Sequence, residues 1–248
     1  MPVLETRDLS RSFGAVAAVN AVDLAIAERS VHAIIGPNGA GKTTLLDLLS
    51  GEVRPHAGCI RLGGRDVTRL PPDRRARLGI GRSFQRAGVL AGFSALEGCL
   101  LAAQAGLLRG IDVFRSKAEG NAAVERAATE ALSVVGLATR GDVAAGALSH
   151  GERRQLELAM LLAGGADVLL LDEPLAGLGV EESRQTAALI QELGRSRTVV
   201  LVEHDMDAVF AIAGMVTVMV GGRVLETGPP DAIRRSAAVQ EAFLESAS

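Results

Sequence analysis

The amino-acid sequence predicts an α/β fold with three parts: a core built on a mostly parallel sheet, a small antiparallel β layer at its edge, and an inserted helical subdomain. Three short apolar runs predict the sheet, because such runs between helical segments are typical of strands buried on both faces. They are Val31–Ile35, Asp167–Leu171 and Thr198–Val202. A long stretch with no clear strand pattern, residues 87–163, predicts the helical part.

Composition agrees with a folded protein and excludes several classes. The chain has 248 residues, of which 48% are hydrophobic, so it can bury a sizeable core and is not disordered. The net charge is −3 and no long basic run occurs, which argues against a nucleic-acid partner. The first residues are too polar for a signal peptide, and every apolar run is shorter than the ~20 residues that cross a bilayer. We therefore expect a cytoplasmic chain with Cys59 and Cys99 as reduced thiols.

The antiparallel layer is predicted from segments in which apolar and polar residues alternate. Val3–Leu9 and Val19–Ile26 alternate in this way near the start of the chain, as does Cys59–Leu62. We expect them to pack at the edge of the core. The chain is then one domain over residues 1–248, with an α/β core formed by residues 1–86 and 164–248 and a helical subdomain formed by residues 87–163.

Helix-start and helix-stop signals occur inside the helical stretch. Ser94 and Ser149 are each followed three residues later by a glutamate, Glu97 and Glu152, which is the pattern of a capping box. Gly136 follows a helical pattern and suits the position just past a helix end.

A glycine-rich loop follows the first apolar run and precedes a helical segment. Residues 36–43 read GPNGAGKT, in which the glycines let the backbone curl so that several N–H groups converge on a phosphate. The helix that follows adds its positive end. This strand, loop and helix predict a P-loop NTPase core that binds ATP, with a chance glycine-rich turn as the alternative. The expected ATP contacts are Gly36, Pro37, Asn38, Gly39, Ala40, Gly41, Lys42, Thr43 and Thr44.

Acidic and histidine residues follow the second and third apolar runs. Open α/β sheets bind ligands at the carboxyl ends of their strands, so these residues are expected beside the P-loop. Asp172 is predicted to hold Mg²⁺, Glu173 to act as general base for the attacking water, and His204 to contact the γ-phosphate. Solvated carboxylates at strand ends are the alternative for the first two. His32 and His56 are interpreted as residues without a chemical role.

These motifs, in this order, resemble the nucleotide-binding subunits of ABC transporters. Phe13 stands where the family stacks an aromatic ring on adenine, and Gln85 lies in a segment that looks like the Q-loop. Residues 148–152, LSHGE, resemble the signature motif, residues 168–173 the Walker B strand, and His204 the switch histidine. The resemblance covers essentially the whole chain.

The resemblance implies a composite site shared by two subunits. ATP on one P-loop would be covered by Ser149, Gly151 and Glu152 of a second ABC ATPase subunit. Gln85 would act in catalysis and link the γ-phosphate site to the helical subdomain, which grips a transmembrane permease. The implied cofactor beside ATP is Mg²⁺, with Thr43, Gln85 and Asp172 as its ligands.

Two departures from the family pattern stand near this site. His150 and Glu152 replace the usual glycine and glutamine of the signature. Glu152 still suits a capping box, so we expect the helix to be intact. Gly179 stands where the family often carries aspartate, which puts side-chain signalling between half-sites at this point in doubt.

Several stretches resemble the branch that imports branched-chain amino acids or amides such as urea. They are the approach to Gln85 from Leu70, residues 203–206 (EHDM) and the tail from Thr227 to Leu244. This branch implies a second ATPase subunit, permease subunits, a periplasmic or extracellular solute-binding protein, and a position on the inner face of the cell membrane. An ATPase of a lipid or lipopolysaccharide exporter is the first alternative, and a non-transport ABC protein is the second.

Overall fold

The computed structural model describes residues 2–83, 89–107 and 117–245. The strands are β1 Pro2–Phe13, β2 Val16–Ala27, β3 Val31–Ile35, β4 Ala57–Leu62, β5 Arg65–Asp66, β6 Ile80–Arg82, β7 Val168–Asp172, β8 Thr198–Val202, β9 Met215–Val220 and β10 Arg223–Gly228. The α-helices are α1 Lys42–Ser50, α2 Pro72–Arg77, α3 Ala95–Leu107, α4 Lys117–Val134, α5 His150–Ala163, α6 Val180–Leu193, α7 Met206–Ile212, α8 Pro230–Arg235 and α9 Ala237–Glu245.

The larger sheet has six strands in the order β10-β9-β3-β8-β7-β6. All neighbours are parallel except β10, which runs antiparallel to β9. Every residue of β3, β7 and β8 is buried, which explains why these strands are continuous apolar runs in the sequence. β6 was not predicted, because three residues give too short a pattern to recognise.

The smaller sheet is antiparallel, with the order β2-β1-β4-β5, as the alternating segments predicted. Helix α1 packs between the two sheets. Its Leu45 and Leu49 share one buried cluster with Leu4 of the small sheet and Val200 of the large sheet. The helix that follows the glycine-rich loop is therefore held on two sides.

Helices α3, α4 and α5 lie between β6 and β7 in the chain and pack on one another. Both predicted capping boxes are present: Ser94 and Glu97 exchange side-chain and backbone bonds, and Ser149 and Glu152 do the same. Gly136 follows α4 with a φ of 80°, which suits glycine at a helix end. The predicted fold class is confirmed. The subdomain boundary near residue 87 stays a prediction, since residues 84–88 lie outside the described ranges.

A chain of polar side chains connects three strands of the large sheet and is buried at His32 and Thr217. His32 Nε2 lies 2.8 Å from Thr217 Oγ1, which lies 2.9 Å from Thr227 Oγ1. Burial lowers the pKa of His32 to about 4, because the charged imidazolium loses its hydration.

Over the described residues, no helix combines the length and the apolar character that a membrane span requires.

Candidate functional site

The carboxyl ends of β3, β7 and β8 meet at one edge of the large sheet. Ile34 pairs with Val202, and Asp172 pairs with the same residue from the other side. The P-loop, Asp172 with Glu173, and His204 each follow one of these strands. Their proximity was expected from the rule for open α/β sheets.

Two glycines let the P-loop lie against neighbouring backbone. A Cβ added to Gly36 would stand 2.0 Å from the Met219 carbonyl oxygen, and one added to Gly41 would stand 2.0 Å from that of Ala18. Both have a positive φ, 148° and 96°. No other residue fits this packing, so the loop shape depends on glycine at both positions.

The start of helix α1 suits an anion. Gly41 is its N-cap, so no side chain caps the first N–H groups, and the first turn carries no acidic residue. These N–H groups and the positive helix end are the elements that bind phosphate. The residues present therefore fit the triphosphate of ATP.

Lys42 lies across the P-loop. Its Nζ donates to the carbonyl oxygens of Gly36 at 2.7 Å and Pro37 at 2.9 Å. Burial lowers the pKa of Lys42, whereas the nearby Glu173 and Asp172 carboxylates raise it because they stabilise the ammonium group. The ammonium is thus held between the loop and the acidic strand end.

Asp172 is buried at the end of β7, with 1% of its surface exposed. Its Oδ2 lies 3.5 Å from Arg82, while its Oδ1 has no hydrogen-bond partner within the described ranges. Burial raises the pKa of Asp172, and Arg82 opposes this effect. A buried carboxylate oxygen without a donor fits a hard cation such as Mg²⁺.

Arg82 was not assigned a role from the sequence. It ends β6, and its guanidinium lies 2.5 Å from Asp47 of α1, 3.0 Å from Ser50 Oγ and 3.5 Å from Asp172. It therefore joins the P-loop helix to the acidic strand end. The sequence offered one hint of this role, since Arg82 lies three residues before Gln85. Its partners could not be predicted, because they are remote in the sequence.

Glu173 and His204 form a direct pair. His204 Nε2 lies 2.7 Å from Glu173 Oε1, and both side chains are partly exposed. Glu173 has a φ of 50°, which is uncommon for a residue other than glycine. A carboxylate held against an imidazole beside Lys42 and Asp172 can accept a proton from water.

Ser149 and Glu152 form the start of α5. Ser149 Oγ accepts a bond from the Glu152 N–H at 3.1 Å, and Glu152 accepts one from the Ser149 N–H at 2.8 Å. The hydroxyl oxygen of Ser149 is therefore the helix cap, and its proton remains available as a donor. Arg140 also binds Glu152, at 2.9 Å.

The structure shows the contacts made at and near the positions that depart from the family pattern. His150 Nε2 lies 3.3 Å from the Ala176 carbonyl oxygen, so the signature helix contacts the loop after β7. A Cβ on Gly151 would stand 2.9 Å from a carboxylate oxygen of Glu182. Gly179 is the N-cap of α6 and donates its N–H to Glu182 at 3.2 Å.

Two predicted site residues, Phe13 and Gln85, have roles that stay predictions. Phe13 is 47% exposed at the turn between β1 and β2, with the Arg11 guanidinium 4.8 Å from its ring centre. The same hairpin reaches the P-loop through Ala18, but the adenine contact stays a prediction. Gln85 lies outside the described residues, so its predicted roles also stay predictions.

Comparison with known proteins agrees with this geometry. The family model described as "ABC transporter" matches residues 19–176. The chain belongs to the ABC transporter family. This confirms the predicted family and, with it, the predicted class of enzyme, an ABC-type ATPase.

Curated relatives match along nearly the whole chain. The high-affinity branched-chain amino acid transport ATP-binding protein BraF of Pseudomonas aeruginosa is 38% identical, with 98% of both chains covered. LivG of Escherichia coli, of the same description, is 35% identical with the same coverage. A crystal structure of the ADP conformation of an ATP-binding cassette of an ABC transporter is 25% identical, with a TM-score of 0.85 and coverage of 98% of this chain and 99% of that one.

Proposed function

We propose that this chain is the ATP-binding and ATP-hydrolysing subunit of an ABC importer for branched-chain amino acids or a related amide such as urea. The Glu173–His204 pair beside Lys42 and Asp172 supports the hydrolytic part. The import part is supported by relatives named as branched-chain amino acid transport proteins over nearly their whole length.

Binding and hydrolysis would use partly different groups of this chain, with Lys42 common to both. The P-loop N–H groups and Lys42 hold the phosphates, and Phe13 stacks on the adenine. Glu173 takes a proton from the attacking water, while His204 orients Glu173 and contacts the γ-phosphate. Lys42 stabilises the negative charge that develops on the phosphate oxygens.

Mg²⁺ would be held by Thr43, Gln85 and Asp172. When bound, it neutralises charge on the β- and γ-phosphate oxygens. Arg82 binds the Oδ2 atom of Asp172, which leaves the Oδ1 atom for the cation.

A second ABC ATPase subunit would complete the site. The exposed Ser149 and the neighbouring Gly151 and Glu152 lie at the start of a helix, where N–H groups and the helix dipole favour an anion. They would cover ATP bound to the other subunit, with the Ser149 proton and the Gly151 N–H as donors. Each chain would then contribute its P-loop to one ATP site and its residues 149–152 to the other.

Permease subunits would dock beside the strand that leads to Gln85. A groove of about 540 Å³ lies there, between the α/β core and the helical part, lined among others by Pro72, Arg77, Ala102 and Met160. We place the chain on the cytoplasmic face of the membrane through these subunits, with a periplasmic or extracellular solute-binding protein on the other side.

The catalytic part is tested with Glu173→Gln in the full-length chain. Loss of the base should reduce turnover at least about 100-fold while ATP binding is kept. ATP should then hold the variant as a dimer during size-exclusion chromatography. Glu28→Gln, an exposed change in the turn before β3, is the matched control and should keep the parental rate. Hydrolysis by the Glu173 variant at the parental rate would show that the base is another residue.

The transport part is tested on the complex. The chain is purified with its co-expressed permease subunits and solute-binding protein in lipid nanodiscs, and the ATPase rate is measured with leucine, valine, urea or no solute. Stimulation by one of these solutes is expected. A complex that none of them stimulates, with a functional ATPase, would refute the substrate class and leave the ATPase assignment intact.

A further inference from the structure

Glu203 is a buried carboxylate at the end of β8, directly before His204. Only 4% of its surface is exposed. Its Oε1 accepts a hydrogen bond from the Leu175 N–H at 2.6 Å, and its Oε2 accepts one from the His204 N–H at 3.1 Å. One side chain therefore binds the loops that follow β7 and β8.

These two loops carry Glu173 and His204. The Glu173 N–H donates to the Val202 carbonyl oxygen at 2.9 Å, which also ties the start of the first loop to the end of β8. Glu173 itself has a φ of 50°, a conformation that costs of order 1 kcal/mol and persists only where the surroundings hold it. The bond from Leu175, two residues later, fixes the chain on the far side of this strained residue.

A carboxylate is the side chain that suits this place. Burial raises the pKa of Glu203, while the N–H groups of Leu175 and His204 lower it because they stabilise the ionised form. An ionised carboxylate accepts at both oxygens, whereas the isosteric glutamine accepts at one atom and places an N–H group at the other. Glutamine can therefore bind one loop but not both.

We propose that Glu203 is a positioning residue that holds Glu173 and His204 at hydrogen-bonding distance by binding both of their loops. Both of its carboxylate oxygens are used by backbone N–H groups of these loops. This inference rests on the proposed function, because it assumes that Glu173 and His204 perform the hydrolysis.

The test is Glu203→Gln in the full-length chain, assayed for ATP hydrolysis with Mg²⁺. A displacement of the base by about 1 Å can reduce a rate about 100-fold, so we expect kcat to fall about 10- to 100-fold. The P-loop is not altered, so KM for ATP and ATP binding should change by less than about 2-fold. If Glu203→Gln does not fold, Glu203→Asp replaces it, because aspartate keeps the charge but is too short to reach both loops. We expect the same result for this variant: a lower kcat with KM for ATP nearly unchanged.

Thr6→Val is the matched control for stability. Thr6 is also buried, and its hydroxyl donates to the Val22 carbonyl oxygen in the small sheet, away from the site. The Tm of this variant should fall because a buried hydrogen bond is lost, whereas its kcat should stay at the parental value. Glu203→Gln should reduce kcat even where the two variants have the same Tm.

A double variant separates positioning from general damage. If Glu203 acts through Glu173, Glu203→Gln should cause little further loss in the Glu173→Gln background. The inference is overturned if Glu203→Gln keeps the parental kcat, if it raises KM with kcat unchanged, or if the two losses multiply. The proposed function fails separately, when Glu173→Gln itself keeps the parental rate.

Discussion

Two helix starts in this chain are built in opposite ways. Helix α1 begins at Gly41 with no side-chain cap and no acidic residue in its first turn. Helix α5 begins at Ser149 with a complete capping box, and Glu152 stands in its first turn. The first leaves its backbone donors to a ligand, whereas the second satisfies part of its own N–H groups.

The difference agrees with the proposed division of the site, in which the P-loop half binds ATP and the signature half acts only on ATP held by another subunit. The P-loop lies on buried strands and is shaped by packing against Met219 and Ala18. Ser149 and His150 are exposed, and the neighbouring Glu152 and Glu182 bring negative charge. An anion reaches such a helix start favourably only when another surface already holds it. The comparison therefore supports binding in one chain and hydrolysis in a pair.

The largest effect is expected from Lys42→Ala. The lysine ammonium makes charge-assisted hydrogen bonds, each contributing about 1.5–3 kcal/mol, so its loss should weaken ATP binding roughly 10- to 100-fold or more. Turnover should fall with it. Calorimetry with ATP measures the first effect, and phosphate release measures the second. Arg29→Ala, an exposed cation outside the site, is the control, and parental affinity in the Lys42 variant would refute the role of the P-loop.

Ser149→Arg tests the comparison of the two helix starts, because it should separate ATP binding from ATP hydrolysis. The bulky cation would block the surface that we propose faces the second subunit, so hydrolysis should fall at least about 100-fold, while ATP affinity of the isolated chain stays within about 2-fold. Ser133→Arg adds the same charge at an exposed position of α4 and should change neither. Weaker ATP binding by the isolated Ser149 variant would contradict the composite site.

The smallest effect concerns stability and comes from His32, which lies in the strand that leads into the P-loop. Its pKa is lowered to about 4 in the folded chain, whereas the unfolded chain has the ordinary value of 6.5. Between these values the unfolded state binds more protons, so stability falls as pH falls from 7.5 toward 4. This residue alone should cost about 2 kcal/mol at pH 5.

Urea unfolding at pH 7.5 and pH 5 measures this effect. His32→Gln, which can still bond to Thr217 but does not titrate, should remove most of the pH dependence. His56→Gln, an exposed histidine, should leave it unchanged. An equal pH dependence in all three proteins would show that other groups cause it.

The sequence predicted those parts of the site that are contiguous or that follow a recognisable strand. The P-loop, Asp172, Glu173 and His204 are of this kind, because each is attached to an apolar run whose end marks its place. The capping box at Ser149 was also predicted, since both of its residues lie within one turn. Arg82 and Glu203 were missed as functional residues, because a charged residue beside a short or buried strand carries no local sign of its partners.

The sequence by itself determined the fold class, the phosphate-binding loop and the family, since each rests on contiguous motifs or on the order of such motifs along the chain. The tertiary structure decided which side chains bind across the site. Arg82 reaches Asp47 and Asp172, and Glu203 reaches Leu175, only because the strand order places β6, β7 and β8 side by side. Contacts of this kind depend on how distant segments are arranged, and no local pattern records that arrangement.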